Sequence, residues 1–123
     1  MILAGLVVAG AVGAVLRYLV DRSVQGRSAP AFPVGILVVN VSGCLVLGTL
    51  TGVALHHGGT GVGWLVVLGT GLIGAYTTFS TFTYDTVRLL GSDSPTAGVV
   101  NVLVSVGAGL AAAAAGLALG GLV

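Results

Sequence analysis

Apolar residues dominate four stretches of this sequence, and polar residues gather in the short segments between them. Each stretch is long enough to cross a bilayer, since a spanning helix needs about 20 mostly apolar residues. We therefore predict a single all-α membrane domain over residues 1–123. Its four transmembrane helices are expected at about 2–20, 34–55, 62–83 and 96–122. Pro33 and Pro95 lie at two predicted helix starts, where proline is tolerated.

The composition places these helices in a membrane rather than in a soluble core. Of the 123 residues, 56% are hydrophobic and 6% are charged, whereas soluble domains carry about 25% charged residues. The first stretch has neither a basic leader nor a small-residue cleavage site, so we predict a retained span rather than a signal peptide. We expect a multi-pass protein of the cytoplasmic membrane. A net charge of +1 argues against a nucleic-acid partner.

Small residues recur at four-residue spacing in three of the predicted spans. In lipid, this spacing lets helix backbones approach closely. Such tight packing leaves little room for a passage inside one copy, so any pathway is expected at an interface between copies. The small residues are Ala9 and Gly13, Gly48 and Gly52, and Ala112, Gly116 and Gly120.

The sequence offers little material for an enzyme. The predicted spans contain no histidine, and they contain no Asp or Glu before Asp85 at the end of the third. They therefore lack the residues for a general acid–base pair or a metal cluster. His56 and His57 lie together in a loop without a third ligand. The single cysteine, Cys44, is interpreted as a small buried side chain. We predict no catalytic activity and no organic cofactor.

The polar groups within the spans are nearly all neutral hydrogen-bond donors. Cation pathways use carboxylates or carbonyls, whereas amides and hydroxyls can donate to an anion, so the set favours an anion path. Hydrogen bonding between helices is the simpler explanation for any one of them. The set comprises Asn40, Ser42, Thr70, Tyr76, Thr77, Thr78, Ser80, Thr81, Asn101 and Ser105.

The stretch GLIGAYTTFSTFTYD at residues 71–85 concentrates these features. Gly71 and Gly74 with two following threonines make a weak helix, and broken backbone at membrane depth persists only where it is buried or lines a cavity. Freed carbonyls there would be candidate cation ligands. Phe79 and Phe82 share a helix face, and the positive edges of their rings can favour an anion. Arg17 either reaches the interface or places positive charge at the mouth of the path.

The chain resembles the Fluc (CrcB-type) fluoride channel family in all four spans. The similar segments are GAVGAVLRY in the first span, FPVGILVVNVSGCLVLG at 32–48, GLIGAYTTFSTFTYD at 71–85 and NVLVSVGAGL at 101–110. The third segment is the most specific to that family. Some members have tyrosine at the position of Asn101 and serine at that of Gly109, which predicts a thinner polar track in the fourth span here.

This resemblance implies a fluoride-selective channel for passive fluoride export. The implied assembly is an antiparallel, dual-topology dimer with two pores and a third helix broken near its middle. The implied site residues have three roles. The pore would be lined by Asn40, Phe79 and Phe82. A polar track would be formed by Ser80, Thr81, Asn101 and Ser105, with Arg17 at the entrance. The backbone carbonyls of Gly74 and Thr77 would bind a structural Na⁺ shared by both subunits.

The distribution of arginine predicts a preferred orientation. With four spans, the first and third loops share a side, and Arg22, Arg27 and Arg88 all fall there, as does Arg17. The second loop has no Lys or Arg. Because positive loops stay cytoplasmic, we hypothesise that the partner in the dimer is an oppositely oriented paralogue, with a second copy of this chain as the alternative.

Two other readings compete with a channel. A small multidrug-resistance-type proton antiporter would also be a short dual-topology chain, but it needs a membrane-embedded carboxylate that the first span lacks. A non-conducting assembly subunit would explain the small-residue spacing, yet it leaves the donors and rings of the third span without a role.

Overall fold

The computed structural model describes residues 1–28, 31–58 and 62–123, with the side chain of Val62 excepted. Over these ranges the chain begins with α1 (Ile2–Gln25) and α2 (Val34–His56). The helix α3 (62–76) is built from Val62–Leu65, a wider π-helical segment Val66–Ile73 and Gly74–Tyr76. The remaining helices are α4 (Phe79–Leu90) and α5 (Pro95–Gly120).

Four segments of the described chain are long and apolar enough to cross a membrane: Ile2–Gln25, Val34–His56, Gly63–Leu90 and Pro95–Gly120. The third consists of α3 and α4 together and is broken between them. The predicted all-α fold with four spans and a broken third span is therefore confirmed.

Two spans extend beyond their predicted ends. The first continues to Gln25 rather than ending near residue 20, and the third continues to Leu90 rather than residue 83. At the end of α1, the Gln25 amide donates to the Phe32 carbonyl (3.0 Å) and accepts from the Gly35 N–H (3.1 Å). It thereby satisfies one of the free donors at the start of α2, which ties the two helices together beyond the apolar stretch.

The most extensive helix contact joins α2 to α5. A Cβ on Gly48 would overlap the Ala113 carbonyl, and a Cβ on Gly52 would overlap the Leu117 carbonyl. From the other helix, a Cβ on Gly116 would overlap the Leu45 carbonyl. The two backbones therefore touch directly, as expected for small-residue spacing in membranes. Ala9 and Gly13 of α1 pack against α3 in the same way, because a Cβ on Gly13 would overlap the Leu72 carbonyl.

The middle of α3 departs from α-helical geometry before the chain breaks. Residues Val66–Ile73 form the π-helical segment, and the Gly74 N–H reaches back to the Gly69 carbonyl. This segment contains Gly69, Thr70 and Gly71, which propagate an α-helix poorly. Since π-helical turns are rare and frequently found at functional sites, the segment directs attention to the residues that follow it.

Candidate functional site

The third span breaks at Thr77 and Thr78. Both residues are extended, with φ −78° and ψ 161° at Thr77 and φ −148° and ψ 124° at Thr78. The Thr78 hydroxyl caps the new helix by accepting from the Thr81 N–H at 3.3 Å. Threonine is a favoured cap because its oxygen satisfies a free N–H of the first turn. The break thus ends one helix and starts another within two residues.

Asn40 of α2 holds the break through both atoms of its amide. Its Nδ2 donates to the Thr78 carbonyl at 3.0 Å, and its Oδ1 accepts from the Thr78 N–H at 2.9 Å. The Thr78 N–H is a backbone group that the broken helix leaves without its usual acceptor, and an unpartnered group costs several kcal/mol in lipid. A glycine at position 43, one turn along α2, permits this approach because a Cβ there would overlap the Thr77 methyl.

The break also frees backbone carbonyls of α3. In an uninterrupted helix the Thr78 N–H would donate to the Gly74 carbonyl, but here it donates to Asn40. The Thr77 carbonyl instead accepts from Nη1 of Arg17 at 3.5 Å. Arg17 is therefore beside the break rather than near a helix end, because α1 continues past it to Gln25.

A groove of about 330 Å³ runs along the break and is open on one side. Its lining comes from α2, α3, the break, α4 and α5, and most of it is apolar. Pockets with mostly apolar walls and a few convergent polar groups are typical ligand sites. The polar and aromatic lining residues are Asn40, Thr77, Thr78, Phe79, Phe82 and Ser105.

The electrostatic character of the groove suits an anion. Its lining includes no carboxylate; Asp85 lies farther along α4, where it pairs with Arg88 at 3.5 Å. An asparagine amide has two N–H donors. Only one of those of Asn40 is engaged by a described residue, the donation to Thr78. The second N–H has no partner among the described residues, and Asn40 lines the groove.

The two phenylalanines of the groove are close to each other but differ in exposure. Their ring centroids are 5.8 Å apart with planes tilted by 46°. The Phe79 side chain is 78% exposed in the single subunit, whereas Phe82 is partly buried. A phenyl ring carries a positive edge, so the tilted pair presents edges as well as faces along the groove.

Comparisons with known proteins agree on one family. Residues 4–117 match the model of the family described as CrcB-like protein, Camphor Resistance (CrcB). The chain belongs to the CrcB family. A relative in Streptomyces avermitilis, named Fluoride-specific ion channel FluC 1, is 51% identical over 91% of this chain and 90% of its own length.

Two further CrcB-family relatives have similar names. Fluoride-specific ion channel FluC 2 of Mycobacterium bovis is 46% identical over 91% of this chain and 85% of its own length. Fluoride-specific ion channel FluC of Rhizobium meliloti is 44% identical over 89% of this chain and 88% of its own length. The alignments cover all four spans, so this CrcB-family chain is a multi-pass membrane protein throughout.

Six of the ten site residues expected from sequence line one groove in this CrcB-family chain. They are Asn40, Gly74, Thr77, Phe79, Phe82 and Ser105. The other four lie beside it.

The Ser80 and Thr81 hydroxyls lie 3.3 Å and 3.1 Å from the Thr78 hydroxyl, within the cap of α4. Asn101 is buried and donates to the Thr86 hydroxyl at 2.9 Å. Arg17 contacts the break from α1, on the Thr77 carbonyl.

The roles of two residues of the site were not expected from sequence. Thr78, expected only as one of the neutral donors of the third span, caps α4 and is the backbone partner of Asn40. Its position immediately before a helix that starts at Phe79 is a recognisable capping signal. Thr86 was missed because its partner Asn101 lies in the next span, fifteen residues away. No local spacing reveals such a pair. Among the described residues, no group of three or more His, Cys, Asp and Glu side chains is placed to hold a metal ion.

Proposed function

We propose that this chain is a fluoride channel that lets fluoride leave the cytoplasm passively across the cell membrane. The observation that carries the proposal is the groove at the break, where amide and hydroxyl groups and two phenyl rings converge without a carboxylate. The relatives are named fluoride-specific ion channels, which is not a class of enzyme. The absence of a groove carboxylate disfavours a proton antiporter, and the groove itself disfavours a purely structural subunit.

The proposed physics is replacement of part of the water shell of a small anion. The free N–H of Asn40 donates from one wall, and the Ser105 hydroxyl lies on another. The edges of Phe79 and Phe82 add weak positive potential between them. Conduction requires binding strong enough to admit an ion and weak enough to release it. A few neutral donors on apolar walls meet that requirement better than a fixed guanidinium in the groove would.

We propose that the working unit is an antiparallel dimer. The groove is open on one side of the subunit, and the exposed Phe79 ring stands beside it within the span. A second subunit would cover both. The four arginines lie on one side of the predicted topology, so the partner is either a copy inserted the opposite way or an oppositely oriented paralogue.

Orientation can be measured with cysteines. In a Cys44→Ala background, a Ser92→Cys label site in the third loop should react only from the cytoplasmic side if the partner is an oppositely oriented paralogue. Equal labelling from both sides of intact cells would instead establish dual insertion of this chain and remove the need for a paralogue.

We also propose a structural sodium ion at the break. The Gly74 carbonyl lacks its usual helical donor, and the Thr77 carbonyl accepts only a long hydrogen bond from Arg17, at 3.5 Å. Two carbonyls from one subunit are too few to replace the water shell of an ion, so two from a partner would be needed. Sodium would then raise the thermal stability of the purified dimer relative to N-methylglucamine. Equal stability in the two salts would contradict a structural sodium.

A growth assay tests the function in cells. A bacterial host without its own fluoride exporter should tolerate more fluoride when it expresses this chain. The Asn40→Leu variant, present in the membrane in equal amount, should give no protection. If wild type and variant leave the host equally sensitive, either alone or with an oppositely oriented paralogue, the proposed function is wrong.

A further inference from the structure

Asn101 of α5 is one of the most buried side chains of the described chain, at 2% exposure. It joins a series of hydrogen bonds that starts at the groove. The Ser105 hydroxyl lies 3.5 Å from Asn101 Oδ1, Asn101 Nδ2 lies 2.9 Å from Thr86 Oγ1, and Thr86 Oγ1 lies 2.8 Å from the Phe82 carbonyl. Ser105 and Phe82, the two ends of the series, both line the groove.

The direction of every bond in this series follows from the Thr86 hydroxyl. A hydroxyl has one proton, and a carbonyl only accepts, so Thr86 must donate to Phe82. It can then only accept from Asn101, which places the amide nitrogen toward Thr86 and the amide oxygen toward Ser105. Since an amide oxygen only accepts, Ser105 must donate its one proton to Asn101.

The Ser105 hydroxyl therefore turns its proton away from the groove and its lone pairs toward it. Lone pairs repel an anion, so Ser105 must rotate before it can donate to one. Its present bond, at 3.5 Å, is at the long limit for a hydrogen bond and is weak. Rotation is thus accessible, but it leaves the buried oxygen of Asn101 without a partner, and unpartnered buried acceptors are costly.

We propose that Asn101 is a positioning residue that competes with the anion for the proton of Ser105. This inference rests on the proposed function. By withdrawing a donor from the groove, Asn101 weakens anion binding and shortens occupancy. Thr86 controls this competition, because its hydroxyl holds the Asn101 amide in the orientation that accepts from Ser105.

Removing the Thr86 hydroxyl should reverse the hydrogen bond between Ser105 and Asn101. In Thr86→Val, which preserves side-chain shape, the Asn101 amide is free to turn its nitrogen toward Ser105. Ser105 would then accept from Asn101 and donate into the groove. We expect the internal fluoride concentration that gives half-maximal efflux from liposomes to fall about threefold to tenfold.

Three further variants isolate the effect. Thr86→Ser keeps the hydroxyl and should behave as wild type. Thr83→Val removes a hydroxyl that also donates within α4, to the Phe79 carbonyl at 2.9 Å, and should change nothing. In a Ser105→Ala background, Thr86→Val should no longer shift the half-maximal concentration.

The outcomes separate this inference from the function on which it rests. Absence of fluoride efflux from the wild-type assembly would overturn the proposed function itself. If wild type conducts but Thr86→Val leaves the half-maximal concentration unchanged or raises it, the role of Asn101 is wrong. A fall of equal size in the Ser105→Ala background would also overturn it, because the effect would not pass through Ser105.

Discussion

The two halves of α2 make contacts of opposite chemistry. In the second half, Gly48 and Gly52 bring the backbone of α2 directly against that of α5. In the first half, the Asn40 amide reaches across to the backbone of Thr78 and exchanges two hydrogen bonds with it. One contact depends on the absence of side-chain atoms, and the other depends on a single side chain.

This difference separates what holds the subunit from what shapes its site. Where Gly48 and Gly52 meet α5, the two backbones leave no room for a side chain between them, so this contact is suited to stability. The Asn40 contact holds the backbone at the break and leaves one amide N–H without a described partner, on a residue that lines the groove. Substitutions should therefore affect folding in one half of α2 and ion passage in the other.

The largest expected effect comes from a single methyl group in the second half. In Gly48→Ala the new Cβ would overlap the Ala113 carbonyl, and backbone cannot rotate away as a side chain can. We expect the free energy of unfolding to fall by about 3 kcal/mol or more. The yield of monodisperse protein in mild detergent should therefore fall. Gly107→Ala is the matched control in α5, because a Cβ there meets nothing within 4 Å. Equal yields of the two variants would contradict a direct backbone contact between α2 and α5 at Gly48.

In the first half, Asn40→Leu should abolish passage while leaving more folded protein than Gly48→Ala does. It removes both hydrogen bonds from the Asn40 side chain to the Thr78 backbone, together with the second amide N–H. We expect fluoride efflux from liposomes to fall about tenfold or more, which corresponds to about 1.4 kcal/mol. Efflux within a factor of about two of wild type would show that the two hydrogen bonds between Asn40 and Thr78 are dispensable.

Asn40→Asp sharpens the same comparison. Aspartate keeps an acceptor for the Thr78 N–H but adds negative charge to the groove and has no donor when ionised. An anion path should therefore be closed as completely as in the leucine variant. Retained passage of a cation through the aspartate variant would mean that the groove serves the opposite charge.

A smaller effect is expected at the cap of α4. Thr78→Val removes the acceptor for the Thr81 N–H, and loss of such a cap costs about 1 kcal/mol. Fluoride efflux should fall a few-fold, and the thermal stability of the protein should decrease. Thr83→Val, which removes an exposed hydroxyl one turn later, should leave both quantities unchanged. Identical behaviour of the two variants would contradict a special role for Thr78.

The fold was largely predictable because a bilayer fixes the length of a spanning segment. Hydropathy located all four spans, although it stopped short where α1 and α4 continue past their apolar parts. The break was predicted from the weak helix formers Gly71 and Gly74 and the two threonines that follow them. It occurs at those threonines, Thr77 and Thr78, and Gly71 lies in the π-helical segment before it.

The hydrogen bonds of the site were less predictable than its residues. Residue type indicated that Asn40, Ser105 and the phenylalanines belong to a polar path, and they share one groove. Sequence could not indicate that Ser80 and Thr81 lie within the cap of α4, or that Asn101 binds Thr86. These depend on the position of the break and on how α4 packs against α5, and both are set by tertiary contacts.

Fluoride efflux from liposomes that contain only the purified chain tests the central claim most directly. A fluoride electrode follows fluoride release while chloride release is followed in parallel vesicles. The account predicts rapid fluoride release without chloride release, and its loss in Asn40→Leu. Equal release of both ions, or fluoride release that survives Asn40→Leu unchanged, would contradict a selective path through the groove at the break.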